Sequence, residues 1–405
     1  MTRLTAKSCA PFFVLMLAWS ASAQTQRTIK IGVLNDASGP YSDNSGEGSV
    51  TAAKMAAEDF KKRHPEFRIE IISADHQNKA DIGASIARRW IDQENVDVIA
   101  DVPNSGVGLA VNEVVRGTKA ALIASSAATS DLTGKYCSPN TVQWTFDTWA
   151  AAHTIGEYLT RHGGKKWYFI ATDNALGKSM VRDGAAVIKA SGGAVIGSIN
   201  VPINTADYSS FILQADGSGA DVIAFATAGG DTIGLIKQTS EFGLTQSGRR
   251  FAALLTTTND VESSGIPVTK GLIITQPFYW DQDDPARAWS ARYSDRQRGQ
   301  SPTAFHAGVY SSVRAYLNAA FDAGTNEGRL VVQKMKETPI DDDLFGPVTV
   351  RPDGRAVHSM YIFKVKSPDR SKGRWDLLEK IDVLNGSDAF RPLSDGDCPM
   401  VTQSR

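Results

Sequence analysis

Polar residues and backbone N–H groups follow the carboxyl ends of three predicted strands, in loops 35–48, 101–108 and 125–130. The first two loops open predicted helices, where unpaired N–H groups and the positive end of the helix dipole suit a carboxylate or another small anion. Any one of these residues could instead cap a helix, as Ser, Thr, Asn and Asp often do. Three such loops at one sheet edge favour a binding site, and Ser126 is a candidate in the last loop.

Aromatic residues stand where they could contact the apolar part of a ligand. Tyr41 lies in the first loop, and Trp149 lies at the junction between two series of predicted strands and helices. Phe278 follows the strand predicted at 271–276, and Tyr310 lies on the following helix. Ring pairs of this kind contribute about 0.5–1.5 kcal/mol beyond the burial of their area. Packing in a core or between lobes is the alternative for each of them, and core packing is our interpretation of Trp144 and Trp289.

Motifs for other chemistry are missing from the sequence. Gly46-Glu-Gly48 and Gly106-Val-Gly108 lack the third Gly of a dinucleotide fingerprint, and no G-x-x-x-x-G-K-[ST] phosphate loop is present. Neither a G-x-S-x-G elbow nor H-E-x-x-H occurs, although a triad dispersed along the chain would leave no local motif. The six His form no ligand cluster, and the run 341–343 (DDD) has no calcium-loop pattern. We therefore expect a protein that is not an enzyme and has no cofactor or metal.

Strands and helices alternate along the chain in two series. Such βα alternation predicts parallel sheets with helices on both faces, and hence two Rossmann-like α/β lobes. The predicted strands lie at 29–34, 67–73, 96–100, 120–124, 167–171, 195–201, 222–226, 251–255, 271–276 and 360–365. The predicted helices include 79–93, 109–116, 150–161, 178–190, 208–214, 232–242, 285–298 and 303–321.

The length and charge are those of an ordinary soluble protein. The 405 residues carry 43 Lys and Arg against 44 Asp and Glu, and 42% are hydrophobic, which argues against wholesale disorder. Without long basic runs, nucleic acid is not an expected partner.

The first 23 residues are typical of a secretory signal peptide. Arg3 and Lys7 precede a mostly apolar segment, and Ala21-Ser22-Ala23 is a small-residue cleavage site. A membrane anchor is the alternative, but the apolar segment is short for a span of about 30 Å. We expect cleavage after Ala23 and a periplasmic protein.

Two cysteines remain after removal of Cys9 with the signal peptide. In an oxidising compartment we expect Cys137 and Cys398 to form a disulfide, which would join the C-terminus to the middle of the chain. Two buried free thiols are the alternative.

Several segments together resemble the solute-binding proteins of branched-chain amino acid ABC transporters. They are 29–41 (IKIGVLNDASGPY), 48–53 (GSVTAA), 98–105 (VIADVPNS), 125–129 (SSAAT), 225–231 (FATAGGD) and 304–310 (AFHAGVY). The resemblance implies two α/β lobes, three crossover strands as a hinge and a ligand enclosed between the lobes. In that family a ligand carboxylate is held at positions that match Asn104, Ser105, Ala127 and Thr129 here.

The sequence departs from the amino-acid binders of this family on the second-lobe side. Leu176 stands where they have Tyr, beside the candidate Asn174, and 256–258 (TTT), which contains the candidate Thr258, stands where they have an acid. An unpaired buried ammonium is costly, so the missing acid disfavours amino acids, although Asp231 or Asp260 could supply the charge. We predict an aromatic monocarboxylate, with branched-chain or other aliphatic amino acids and small amides as the alternative.

The resemblance also predicts the organisation and the partner. The N-terminal lobe would comprise 24–147 plus about 278–350, and the C-terminal lobe 148–277 plus about 351–405. A permease in the inner membrane would receive the ligand from a monomeric receptor. A ligand sensor without transport is a further alternative.

Overall fold

A computed structural model describes residues 27–244 and 249–402, and the predicted signal peptide lies outside them. The first lobe is built on a five-stranded parallel sheet in the order β2-β1-β3-β4-β5. This order reverses between β1 and β3, which is the switch point where doubly wound sheets place their ligands. Its elements are β1 (Arg27–Asn35), α1 (Gly46–Arg63), β2 (Phe67–Asp75), α2 (Ala80–Asp92), β3 (Val98–Asp101), α3 (Ser105–Val115), β4 (Ala121–Ala124) and β5 (Thr141–Gln143).

The second lobe repeats this strand order and extends it. Its sheet runs β7-β6-β8-β9-β10 in parallel, and two further antiparallel strands, β14 and β15, follow β10. The parallel part is formed by α4 (Thr148–Arg161), β6 (Lys166–Thr172), α5 (Ala175–Ala190), β7 (Ala194–Val201), α6 (Ser209–Gly217), β8 (Val222–Ala226), α7 (Gly230–Glu241), β9 (Arg250–Ala253), α8 (Thr258–Ser264), α9 (Ile266–Thr269) and β10 (Ile273–Gln276).

The remaining elements alternate between the two lobes. Helices α10 and α11 pack on α1, and a small antiparallel sheet, β11-β12-β13, joins the first-lobe core, whereas β14 and β15 complete the second sheet. The bounds are α10 (Asp284–Arg296), α11 (Ala304–Ala323), α12 (Gly328–Glu337), β11 (Ile340–Asp342), β12 (Gly346–Val350), β13 (Ala356–Val357), β14 (Met360–Val365), β15 (Leu378–Leu384), α13 (Gly386–Ala389) and α14 (Pro399–Thr402). The chain thus passes between the lobes at 144–147, 277–283 and 358–359.

Each lobe has a hydrophobic core of its own. Trp144, Phe278, Trp289 and Tyr310 belong to the first-lobe core, which confirms the interpretation of Trp144 and Trp289 as core residues. The predicted α/β class with two lobes is also confirmed, while the residue limits of the lobes remain a prediction.

The disulfide joins the C-terminal segment to the first lobe. Cys137 and Cys398 are bonded, with their Cα atoms 5.6 Å apart, which confirms the predicted pair. Among the described residues, no helix is long and apolar enough to cross a membrane.

Candidate functional site

A small cavity lies between the lobes, where the carboxyl ends of both parallel sheets face each other. Loops after β1, β3, β4, β6, β8 and β9 and the first turn of α11 contribute to it, as the strand order predicts. Its volume is about 20 Å³, which is room for about one water molecule. The lining residues are Tyr41, Asn44, Pro103, Ser126, Ala128, Leu176, Ala228, Leu255 and Phe305.

Ser126, which lines the first-lobe side of the cavity, is hydrogen-bonded to a buried carboxylate. Ser126 and Ser45 both donate hydrogen bonds to Asp101, the latter at 2.5 Å. Burial raises the pKa of Asp101 to about 6, against the opposing effect of these hydrogen bonds. Asp101 and Val102 both have positive φ, 79° and 59°, a conformation that is strained for the β-branched Val102.

Ser105 and Thr129 are brought together by the ends of β3 and β4. The Thr129 backbone N–H donates to Ser105 Oγ at 3.2 Å, and both residues are buried. The Thr129 hydroxyl also lies 2.6 Å from that of Ser179 on α5, so this contact joins the two lobes. Asn104 caps α3 by accepting a hydrogen bond from the Val107 N–H. In this loop, therefore, Asn104 caps a helix, while its neighbour Ser105 remains a candidate ligand-binding residue.

The second-lobe side of the cavity is apolar. Leu176 at the start of α5, Ala228 after β8 and Leu255 after β9 are all buried and face the cavity. None of the lining residues carries a formal charge, so neither an ammonium nor a carboxylate finds a charged partner on this wall.

Phe305 lines the cavity, although it is not among the aromatic residues predicted from the sequence. Its ring lies 5.2 Å from that of Phe146 in a stacked arrangement, at the point where the chain first leaves the first lobe. Phe305 stands in the family-like segment 304–310, and this was the signal that could have found it.

Tyr41 closes the cavity from the first lobe. It is buried, and its hydroxyl lies near the side chain of Asn174, which caps α5. Burial, with the nearby Asp231 carboxylate, raises the pKa of Tyr41 and keeps its hydroxyl neutral. Asp231 accepts hydrogen bonds from Tyr208 at 2.6 Å and from the Asn204 N–H, but its Oδ2 is buried without a partner.

A polar bridge crosses between the lobes beside the cavity. The Thr257 hydroxyl donates to Asn44 Oδ1 at 2.8 Å, and Asn44 Nδ2 donates to Asp260 at 3.4 Å. Asp260 also accepts a hydrogen bond from the Thr257 N–H in a capping box of α8, so both of its carboxylate oxygens have partners. Burial raises the pKa of Asp260 to about 6. Thr258 accepts a hydrogen bond from Gln276.

A second polar bridge lies on the α5 side. Ser130 of the first lobe donates to Asp183 at 2.7 Å, and Arg182 pairs with Asp131 at 2.7 Å. The lobes are therefore held together on two sides of the cavity.

Of the predicted site residues, Tyr41 and Ser126 line the cavity, and the others lie outside its lining. Trp149 stacks on His153 along α4. Phe278 packs edge-on against Trp289, and the Tyr310 hydroxyl donates to Asp59, so both have structural contacts in the first lobe. Ala127 packs against α3, and its carbonyl accepts from Gln143, whereas its neighbour Ala128 lines the cavity.

The described residues contain no group of three or more His, Cys, Asp or Glu arranged to hold a metal ion.

A family model described as periplasmic binding protein matches residues 28–374 of this chain. The chain therefore belongs to the periplasmic binding protein family, as the resemblance implied. A solved periplasmic binding protein from Burkholderia mallei is 39% identical, with a TM-score of 0.89, and the match covers 92% of this chain and 99% of that one.

Two further solved structures are similar in fold. A branched chain amino acid ABC transporter periplasmic ligand-binding protein from Burkholderia xenovorans is 34% identical over 92% of this chain and 99% of its own, with a TM-score of 0.83. An ABC transporter solute binding protein from R. palustris, in complex with 4-hydroxybenzoate, is 22% identical over 89% and 97%, with a TM-score of 0.79. The chain is thus a periplasmic solute-binding protein of the ABC transporter type, a class that binds its solute without transforming it.

Proposed function

We propose that this protein captures a small aromatic monocarboxylate between its lobes and delivers it to an ABC permease of the inner membrane. The observation that supports the proposal is the division of the cavity. Asn44 and Ser126 are the polar side chains on its first-lobe side, next to the loop positions Ser105 and Thr129, and uncharged, mostly apolar side chains line the rest.

The carboxylate would bind at Ser105 and Thr129. The Thr129 hydroxyl has the Ser179 hydroxyl as its partner across the lobes. A carboxylate would take the place of that partner, and charge-assisted hydrogen bonds are about twice as strong as neutral ones. Hydroxyl and N–H donors would then hold the anion without a basic residue.

The ring would lie against Leu176, Leu255 and Phe305. These side chains offer apolar area and one aromatic face, while Tyr41 covers the ring from the first lobe. The 4-hydroxybenzoate found in the R. palustris structure is a solute of this kind held by the same fold.

Entry of the ligand requires the lobes to open. The cavity has room for about one water molecule, so a ring fits only after the Asn44–Thr257 and Ser130–Asp183 bridges separate. The three segments between the lobes would serve as the hinge, and closure on the ligand would present the form that the permease recognises.

Thermal-shift measurements on residues 24–405 test the ligand class. A ligand at 100 times its Kd stabilises the folded state by about 2.7 kcal/mol, so benzoate or 4-hydroxybenzoate should raise the melting temperature clearly. Stabilisation by leucine or valine and by no aromatic acid would contradict the proposal.

A branched-chain or other aliphatic amino acid is the second candidate, and one observation favours it. Asp231 Oδ2 is buried without a hydrogen-bond partner near Tyr41, and an ammonium group would supply one. In that case Asp231→Asn would abolish leucine binding, whereas it would leave benzoate binding intact under the first proposal.

Export is part of the proposal as well. We infer cleavage after Ala23 and a monomer in the periplasm. Mass spectrometry of the exported protein would test the cleavage site, and gel filtration would test the oligomeric state. A sensor that contacts a membrane receptor instead of a permease would bind the same ligand but fail to support its uptake.

A further inference from the structure

A second cavity lies in the second lobe, at the opposite end of the sheet from the cleft. It is bounded by the amino ends of β9 and β10 and by the last turns of α4 and α7. Its volume of about 310 Å³ falls within the range of about 300–1,000 Å³ that is usual for ligand pockets. It shares no lining residue with the cavity between the lobes. We call it the basal pocket and characterise it by Phe225, Thr239, Arg250, Phe251, Lys270 and Leu272.

The charges around the basal pocket are all positive. Arg249, Arg250 and Lys270 line it, and no acidic residue does. Arg249 is paired with Asp216 at 2.9 Å, but Arg250 and Lys270 form no ion pair with any residue that the structure describes. Both side chains are exposed. The charge of Lys270 acts on the exposed Asp369 without an ion pair between the two residues. Two cations at the rim are thus available to an anion.

The walls of the basal pocket are apolar. Phe225 and Phe251 lie with their ring centroids 5.8 Å apart, and Leu272 is packed against the same core cluster. A ligand that reached these side chains would gain about 25 cal/mol for each Å² of apolar area that it buries. An inorganic anion would not use this part of the pocket.

One polar atom inside this apolar surrounding has no partner. Thr239 lies on α7 and borders the pocket, it is 1% exposed, and its hydroxyl makes no hydrogen bond. A buried hydroxyl without a partner is unfavourable. A second oxygen on the chain of a ligand would supply a partner, in addition to the carboxylate at the rim.

We propose that the basal pocket binds an amphipathic aliphatic monocarboxylate, with the carboxylate at Arg250 and Lys270 and the chain against Phe225, Phe251 and Leu272. This site is separate from the cleft, so its occupant does not compete with the transported solute. The proposal does not depend on the identity of that solute.

Isothermal titration of residues 24–405 with octanoate tests the proposal. Acetate tests the need for the chain, and 1-octanol tests the need for the charge. We expect saturable binding of octanoate and weaker binding of both others. Replacement of the two rim cations in Arg250→Gln/Lys270→Gln should weaken octanoate binding several-fold, because each exposed ion pair with the carboxylate contributes modestly.

Two control variants test whether octanoate binds in the basal pocket. Lys54→Gln/Lys61→Gln removes the same charge from exposed positions of the first lobe and should leave octanoate binding unchanged. Ser105→Ala/Thr129→Ala, in the cleft, should leave it unchanged as well. The proposal is overturned if octanoate does not bind saturably, or if the cleft variant abolishes its binding while the rim variant does not.

Discussion

The two walls of the cleft are built from the same part of the same topology, yet they differ in chemistry. Both lobes present the carboxyl ends of strands in the order 2-1-3-4-5 or its equivalent 7-6-8-9-10. The first-lobe wall carries Ser126, which donates to Asp101, and beside it Ser105 accepts from the Thr129 N–H, whereas the second-lobe wall carries Leu176 and Leu255. Under the proposed function, the fold would determine where a ligand binds, and the loop side chains would determine which end of it faces which lobe.

The proposed function implies a single orientation of the ligand. Its anionic group would be held by hydroxyl and N–H donors, and its apolar body would lie where no donor or acceptor is left unpaired. Each of the following changes alters one wall and leaves the other intact.

Removing the donors of the first-lobe wall should have the largest effect. Ser105→Ala/Thr129→Ala deletes two hydrogen bonds to a charged group, each worth about 1.5–3 kcal/mol, so benzoate affinity should fall at least 100-fold. Calorimetric titration measures the loss, and circular dichroism shows whether the fold survives. The exposed pair Thr28→Ala/Ser198→Ala is the matched control. Unchanged affinity in the double variant would refute the assignment of the carboxylate to this wall.

The buried carboxylate beneath that wall predicts a pH dependence of stability. Because the pKa of Asp101 is raised from 3.8 to about 6, the folded state holds this proton more tightly than the unfolded state. Its contribution to the free energy of unfolding therefore falls as the pH rises from about 4 to 6, by roughly 3 kcal/mol at most.

Asp101→Asn removes this titration. The difference in unfolding free energy between wild type and variant, measured by urea denaturation, should decrease between pH 4 and pH 7. Asp295→Asn, at an exposed position, controls for the loss of one negative charge. A difference that stays constant with pH would show that Asp101 does not titrate in this range.

Loss of the aromatic face should have an intermediate effect. Phe305→Ala removes the ring that stacks on Phe146 and lines the cavity, so benzoate affinity should fall by roughly tenfold or somewhat more. Phe242→Ala, an exposed ring of the same lobe as the apolar wall, should change nothing. Equal affinities of all three proteins would mean that the ring does not bind at Phe305.

Trimming the apolar wall should have the smallest effect. Leu255→Ala deletes a few methyl and methylene groups from the cavity lining, worth about 1 kcal/mol of contact with the ring, so affinity should fall about fivefold. The pH dependence of binding should not change, because no donor or charge is altered. If Leu255→Ala lowered the affinity more than Ser105→Ala/Thr129→Ala does, the proposed orientation of the ligand would be wrong.

The sequence predicted the regular parts of the fold well for a physical reason. Long buried strands such as Lys166–Thr172 and amphipathic helices such as Ala80–Asp92 repeat their pattern over enough residues to be recognised. The three-residue strand β5 and the short antiparallel strands β11 to β13 were not predicted, because so few residues show no period and their pairing is set by tertiary contacts.

The candidate site was predicted in part. The loops after β1, β3 and β4 could be found because strand order and helix starts place polar groups at one edge. Phe278, just past a predicted strand, and Tyr310, on the following helix, were predicted to contact a ligand, but both belong to the first-lobe core. The direction of a single side chain depends on packing that the sequence pattern does not contain. Phe305 reaches the cavity from a helix start instead.

A crystal structure of residues 24–405 with benzoate tests the central claim most directly. The account predicts benzoate between the lobes, with its carboxylate within hydrogen-bonding distance of Ser105 and Thr129 and its ring against Leu176, Leu255 and Phe305. A carboxylate that faces the second lobe, or benzoate bound only in the basal pocket, would contradict it.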